Sequence, residues 1–301
     1  MSEFNYEIVK NPEIFAQNRL PAHSDHEFYS SEEYKYGDFS DFKYSLNGIW
    51  KFNYATNYES SVKDFFENEC DCKDWDDIKV PAHIQLEGYD KIQYVNTQYP
   101  WDGHEDIHPG EIPEDYNPVG NYVKYFTLPD FMQNNPVYIS FQGVESAFAL
   151  WVNGKYVGYS EDSFTPAEFD ITAFVNSREN KLSVQVFKWS AGSWCEDQDF
   201  FRFSGIFRDV YLYTIPKIHI SDLKISTYLD EDYSKGKLVI DMLVAGKFAE
   251  ENGAMQVLLS NDDTDVISKG DIREGKNHLE ISIRNPILWS AENPYLYDLT
   301  L

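Results

Sequence analysis

Between residues 45 and 214 the chain runs as short β-forming segments broken by Gly, Pro, Asn and Asp: "GIWKFNY", "NYVKYFTL", "VYISFQG", "FALWVNGKYVGYS", "KLSVQVFKW" and "RDVYLYT". That rhythm excludes most architectures, because helical periodicity is scarce and so many short strands must pair in antiparallel sheets. Asn153 and Gly154 sit between two aromatic and β-branched runs. An Asn-Gly pair tolerates the positive φ angles of a type I′ turn, so a tight hairpin is predicted there. The expected fold is all-β, with two packed antiparallel sheets in a jelly-roll sandwich. After Thr214, "IPKIHISDLKISTYL" restarts with a proline, and "KLVIDMLVAG", "MQVLLS", "HLEISIRN" and "YLYDLTL" follow as further strand runs. They predict a second, smaller sandwich, dividing the chain into residues 1–216, a jelly roll with an N-terminal extension, and residues 217–301. The second unit falls short of the ~100 residues usual for an immunoglobulin-like domain, and its strand pattern is still running at Leu301. An incomplete sandwich with an exposed sheet edge is therefore expected.

With 51 acidic against 25 basic residues, the formal charge is -26. Such a surface repels phosphate backbones and anionic lipids, which argues against nucleic-acid and membrane partners and leaves neutral or cationic ligands open. The start, "MSEFNYEIVKNPEIF", has no basic segment followed by an apolar run, and no stretch nears the ~20 apolar residues of a membrane span. A soluble, cytoplasmic protein is expected. Three cysteines fit a reducing compartment: Cys70 and Cys72 are too close in sequence for an easy bridge, Cys195 stands alone, and all three read as inert thiols.

Three segments carry candidate chemistry. "HEDIH", His104 to His108, matches the spacing of a zinc hydrolase, but that chemistry needs a helix. Gly103 before it, and Pro109 and Gly110 after it, predict a polar loop instead. In "QYVNTQYPWDG", Asn96 lies among Tyr94, Tyr99 and Trp101, where its amide suits a sugar hydroxyl as well as it suits a turn between core aromatics. In "EDQDFFR", Glu196 to Arg202, Phe200 and Phe201 are expected to bury and to hold the acidic cluster at depth. There it is either a structural ion network with Arg202 and Arg208, or a carboxylate aimed at a ligand hydroxyl or a hard cation. No nucleophile elbow, phosphate loop or dinucleotide fingerprint is present.

"NRLPAHSDHEFY" (18–29), "SLNGIWKF" (45–52), "YVNTQYPW" (94–101), "GVESAFALWVNGKYVGYSEDSFTPAEFDIT" (143–172) and "EDQDFFRFSGIFRDVYL" (196–212) together resemble the large bacterial β-galactosidases of glycoside hydrolase family 2, over almost the whole chain and in order. The resemblance implies a jelly-roll sugar-binding domain, an immunoglobulin-like domain ending in "ILWSAENPYLYDLTL", and then a catalytic (β/α)8 barrel that this sequence lacks. Both catalytic glutamates of the retaining mechanism belong to that barrel, so no catalytic residue is assigned here and the chain alone should be inactive. By the same resemblance, Asn96 contacts the galactosyl unit and Asp199 contacts both sugar and a bound sodium ion. Glu196 and Asp197 would orient their loop. The implied cofactors are sodium and magnesium, the latter held mostly by the barrel. The implied partners are a galactoside substrate such as lactose, the rest of the chain or a second subunit, and further copies in a homo-oligomer. Two departures stand out. Thr97 replaces a usual valine, and Ala191 stands where some members carry an aspartate that helps hold a peripheral magnesium ion. The rival readings are a freestanding carbohydrate-binding module and another activity of the family, β-glucuronidase or β-mannosidase. Asp199 argues against a uronate, which it would repel.

Overall fold

Alternation decides which strand faces meet. In strand Gly48–Ala55, Trp50 and Phe52 are buried while Ile49 between its neighbours is exposed, so one face of the strand supplies the core. The computed structural model of the chain describes residues 3–31, 40–196, 199–246, 253–260 and 265–301. Two compact units emerge, one of Met1–Pro21 with Tyr29–Ile215 and the other of Ala22–Phe28 with Pro216–Leu301.

In the first unit, a seven-stranded antiparallel sheet runs in the order Ala16–Gln17, Lys155–Ser160, Ala147–Val152, Glu179–Phe187, Val119–Thr127, Gly48–Ala55 and Asp76–Val80. A second sheet holds Ala167–Asp170, Tyr138–Phe141, Val210–Tyr213 and Lys43–Ser45. Trp50, Phe52, Tyr122, Leu150 and Val184 of the first sheet pack with Ile139, Phe141, Phe169 and Leu212 of the second in one apolar core. The hairpin turns at Asn153 (φ 52°) and Gly154 (φ 77°), the paired positive angles that a type I′ turn requires.

The large sheet is covered on its other face as well. Strand Ala147–Val152 is buried throughout: Phe148, Leu150 and Val152 enter the inter-sheet core, while Ala147, Ala149 and Trp151 enter a second core with Phe65, Cys72, Ile112 and Phe187. A strand buried on both faces reads as a continuous apolar run rather than an alternating one, as "AFALWV" does.

Close approach requires a glycine at position 158. A Cβ there would meet the carbonyl oxygen of Gln17 at 2.5 Å and the Phe169 ring at 2.6 Å, because edge strand Ala16–Gln17 lies directly alongside. Gly158→Ala is expected to push that edge strand away and cost about 1–3 kcal/mol in urea unfolding. A cost under ~0.5 kcal/mol would mean that the edge yields freely.

The second unit has two three-stranded antiparallel sheets, His219–Leu229, Lys235–Ala245 and Gly275–Arg284 in one, and Asp265–Ile272, Gly253–Ser260 and Asp298–Thr300 in the other. Leu238, Ile240, Met242, Val257 and Ile281 form its core. One expectation is corrected here. Residues 22–28, read as part of an extension of the first domain, belong to the second unit: Ser24 N–H donates to Asp222 (3.0 Å) and the His26 ring meets the Ile220 carbonyl at 2.8 Å. A polar stretch without periodicity carries no sign of where its hydrogen bonds go.

Candidate functional site

A two-stranded ribbon, separate from both sheets of the first unit, brings the two sequence candidates together. Strand Gln93–Val95 pairs antiparallel with Phe200–Arg202 in the register Phe200↔Val95, Phe201↔Tyr94 and Arg202↔Gln93. Asn96 directly follows the first of these strands and Asp199 directly precedes the second, so both flank the Phe200↔Val95 pair at one end of the ribbon. Both are exposed. Asp199 turns the chain with φ 35°, a left-handed angle that Asp tolerates better than most residues. Tyr94, next but one to Asn96, donates its hydroxyl to Asp199 Oδ1. That hydrogen bond, with the carboxylate charge, holds the Tyr94 phenol above its ordinary value and in its donor form.

The anchoring of the acidic stretch differs from the expectation. Phe200 and Phe201 do not bury; they are 42% and 54% exposed. With only one partner strand and no sheet above, the ribbon leaves their rings open. They join a line of aromatic contacts: Tyr94 to Phe201 (5.2 Å), Phe201 to Phe203 (6.2 Å), and His83 against Phe203 and Phe207 (4.6 and 5.0 Å). Phe164 continues it to Phe207 (5.8 Å) and Phe200 (5.9 Å).

Arg202 is the buried member, and its guanidinium donates to the Glu196 carbonyl oxygen at 3.3 Å through both terminal nitrogens, closing the loop that carries Asp199. Among the described residues Arg208 pairs with none of these acids; it donates to the Phe164 carbonyl (2.8 Å) and lies over the Phe164 and Phe207 rings. Glu196 is exposed as a residue, yet crowding around its carboxyl, with Asp162 and Glu161 nearby, pushes it up to about 6. Asp197 lies outside the described residues.

What fixes the ribbon is a buried polar network that sequence reasoning missed. Lys188 Nζ lies 2.6 Å from Asp90 Oδ2 and donates to Gln93 Oε1 at 3.0 Å, with the ion pair almost wholly buried. Asp90 also accepts from the Tyr116 hydroxyl and from Gln85 Nε2 (2.7 Å). Gln85 in turn bonds the Ser204 hydroxyl (2.8 Å) and accepts the Ser204 N–H (2.9 Å), just past the second ribbon strand. Both strands are thus tied to one buried pair, through Gln93 and Ser204. The available signal was a lysine between two aromatic residues in the strand run "VQVFKW".

Beneath the ribbon, Glu145 is buried, with His83 Nδ1 4.0 Å away. Burial pushes its carboxyl up to about 8, against the pull of Arg202.

The other candidates have structural roles. "HEDIH" is not helical. The Glu105 carboxylate accepts the backbone N–H groups of Glu114, Asp115 and Tyr116 at 2.8, 3.3 and 3.1 Å, which ties the loop. Beside Ala191, Glu161 is engaged by the Tyr159 hydroxyl (2.7 Å), Ser190 and Gly192, and burial raises its carboxyl. Among the described residues no group of three or more His, Cys, Asp or Glu side chains is placed to hold a metal ion. The residues around Ala191 therefore do not fit a magnesium ion held by this chain. At Asp199 one carboxylate beside a hydroxyl could supply a single oxygen to sodium, with the remaining ligands coming from elsewhere. Two hollows of about 650 and 470 Å³ lie on the second unit, and no ribbon residue lines them. The site is an open face: a carboxylate and an amide beside exposed rings, a set that can hydrogen-bond sugar hydroxyls while an aromatic face meets the sugar's C–H groups.

Residues 43–216 match "Glycosyl hydrolases family 2, sugar binding domain", and residues 218–301 match "Glycosyl hydrolases family 2". A β-galactosidase of Halalkalibacterium halodurans is 52% identical over 301 residues, which is 99% of this chain and 30% of that protein. A β-galactosidase large subunit of Leuconostoc lactis is 40% identical over 99% of this chain and 49% of its own length. Among solved structures, the Bifidobacterium dentium β-glucuronidase in complex with coumarin-3-O-glucuronide superposes with a TM-score of 0.65 at 21% identity, covering 88% of this chain and 46% of that one; it is a likeness of fold. The chain spans about a third to a half of the length of these relatives. No helix among the described residues is long and apolar enough to cross a membrane. On these matches, the chain belongs to glycosyl hydrolase family 2.

Proposed function

We propose that this chain is the N-terminal, non-catalytic portion of a cytoplasmic β-galactosidase acting on terminal β-D-galactosides such as lactose. In this reading it lends Asn96 and Asp199 to a site completed by a (β/α)8 barrel, in the same polypeptide or in a partner subunit, and the whole assembles as a homo-oligomer. What supports this reading is the ribbon, whose Phe200↔Val95 pair adjoins both Asn96 and Asp199, together with the Tyr94 hydroxyl's hydrogen bond to Asp199. Asn96 would donate to and accept from galactosyl hydroxyls. Asp199, with one oxygen on Tyr94, would offer the other to a hydroxyl and to sodium. A carboxylate at this position disfavours a uronate through like-charge repulsion, so a glucuronidase is the weaker reading.

The test is made in the protein extended to the length of its relatives. Asp199→Ala removes a charge-assisted hydrogen bond of about 1.5–3 kcal/mol, so kcat/KM for a galactoside should fall at least roughly tenfold and activation by sodium should weaken. Asp199→Asn keeps an acceptor but loses the charge, and should recover part of the binding but little of the sodium response. A lowered melting temperature with the sodium response intact would return Asp199 to the scaffold.

A further inference from the structure

We propose that Cys70 and Cys72 form a two-thiol site for trivalent arsenicals, assembled beside the buried ammonium of Lys181. Their sulfur atoms lie 3.8 Å apart, although a single residue separates them in sequence. Cys72 is buried and Cys70 half-buried, so the pair has one closed and one accessible side. The loop is held in place from below. Lys181 is buried, and its three ammonium protons meet three carbonyl oxygens of the loop, Phe65 at 2.8 Å, Glu67 at 2.6 Å and Cys70 at 3.1 Å. A charge so placed, with carbonyls as hydrogen-bond partners, favours a thiolate nearby. Burial pushes the Cys72 thiol up to about 11, against the pull of Lys181. Cys70, the more accessible thiol, is therefore the first to attack and Cys72 the second.

The sulfur separation selects the kind of ion. With bonds of about 2.3 Å to a thiophilic centre, sulfurs 3.8 Å apart subtend roughly 110°. A linear two-coordinate ion would need about 4.6 Å at the same bond length. Tetrahedral zinc would need two more ligands, and no third His, Cys, Asp or Glu side chain joins the pair among the described residues. A pyramidal trivalent centre, whose bond angles lie below the tetrahedral value, needs the two sulfurs only to close by a few tenths of an ångström and takes just one further substituent. With phenylarsine oxide the step balances without a redox partner: two As–S bonds form, the As=O oxygen leaves with both thiol protons as water, and the phenyl group stays on arsenic.

The probe is phenylarsine oxide at one equivalent, added to the 301-residue chain and followed by mass spectrometry in a large excess of glutathione. One adduct per chain should persist against this monothiol and be stripped by dithiothreitol, and Cys195→Ser should leave it unchanged. Cys70→Ser and Cys72→Ala should each lower retention at least tenfold. If Cys72→Ala fails to fold, Cys70→Ser, a change at a half-buried position, decides alone. Retention in unfolding concentrations of urea should also be at least tenfold weaker, because the pair is pre-arranged only in the folded loop. Absence of an adduct, its mapping to Cys195, equal retention in Cys70→Ser, or equal retention in urea would each overturn the site.

Discussion

Lys188→Met should destabilise the chain by about 3–5 kcal/mol in urea unfolding, the cost of leaving one member of a buried ion pair without its partner. Lys188 and Asp90 are 2.6 Å apart and almost wholly removed from solvent, so Asp90 would keep its charge with no cation to offset it. Burial works against the Asp90 charge. Lys188, with hydrogen bonds from Tyr116 and Gln85, more than offsets this and holds the carboxyl below its ordinary value. Burial also draws Lys188 below its own ordinary value. Making the pair thus gains little while breaking it costs much, which gives the double variant its meaning. Lys188→Met with Asp90→Asn keeps an acceptor for Tyr116 and should recover at least half of the loss. Because Asp90 is depressed in the folded state, its share of stability is present above the unfolded value near 3.8 and fades as pH falls through the lower folded value. A loss below ~1 kcal/mol for Lys188→Met, the scale of an exposed pair, would overturn this account.

Glu145→Gln should have almost no effect on stability at pH 5 and a large favourable one at pH 9. The Glu145 carboxyl is raised by burial from 4.5 to about 8 in the folded chain, with the charge of Glu196 adding to the rise and those of Arg202 and Lys188 opposing it. A raised folded pKa means that the folded state holds the proton more tightly. The resulting stability is full below the unfolded value of 4.5 and is lost as pH rises through about 8. Each tenfold gain in proton affinity is worth about 1.4 kcal/mol, so the swing is on the order of 4 kcal/mol, and glutamine abolishes it by remaining neutral throughout. Urea unfolding of both proteins at the two pH values isolates the effect, since all other titrating groups are shared. A difference between variant and parent that changes by less than ~0.5 kcal/mol from pH 5 to pH 9 would mean that Glu145 is solvated or paired at both.

Different parts of the chain are legible to different degrees. Asn153-Gly154 marked its hairpin because the turn chemistry is local, and "GIWKFNY" marked its strand because alternation is local. Strand Asp265–Ile272, with Ser, Lys, Gly and Asp in its run, carried no such mark; its pairing to Gly253–Ser260 comes from the partner strand. The site divides in the same way. Neither Asn96 nor Asp199 is distinguishable by composition from the many other polar loop residues, and the resemblance to a known family singled them out. The expectation that Phe200 and Phe201 anchor the acidic stretch failed because an apolar side chain signals burial only when something lies above it, and a lone two-stranded ribbon supplies no cover. The anchors are charged instead, with Lys188 and Asp90 buried under Gln93 and Ser204.

By itself the sequence determined the all-β class, the two sandwiches and the hairpin, since these follow from period-2 patterning and turn residues that act within a few positions of one another. Only the tertiary structure decided that Asn96 and Asp199 flank the same end of one ribbon, that Cys70 and Cys72 bring their sulfurs together over Lys181, and that residues 22–28 join the second unit. Each of those depends on strand register or on where a side chain's hydrogen bonds are satisfied, and such pairings are set by the whole packed chain rather than by any stretch of it.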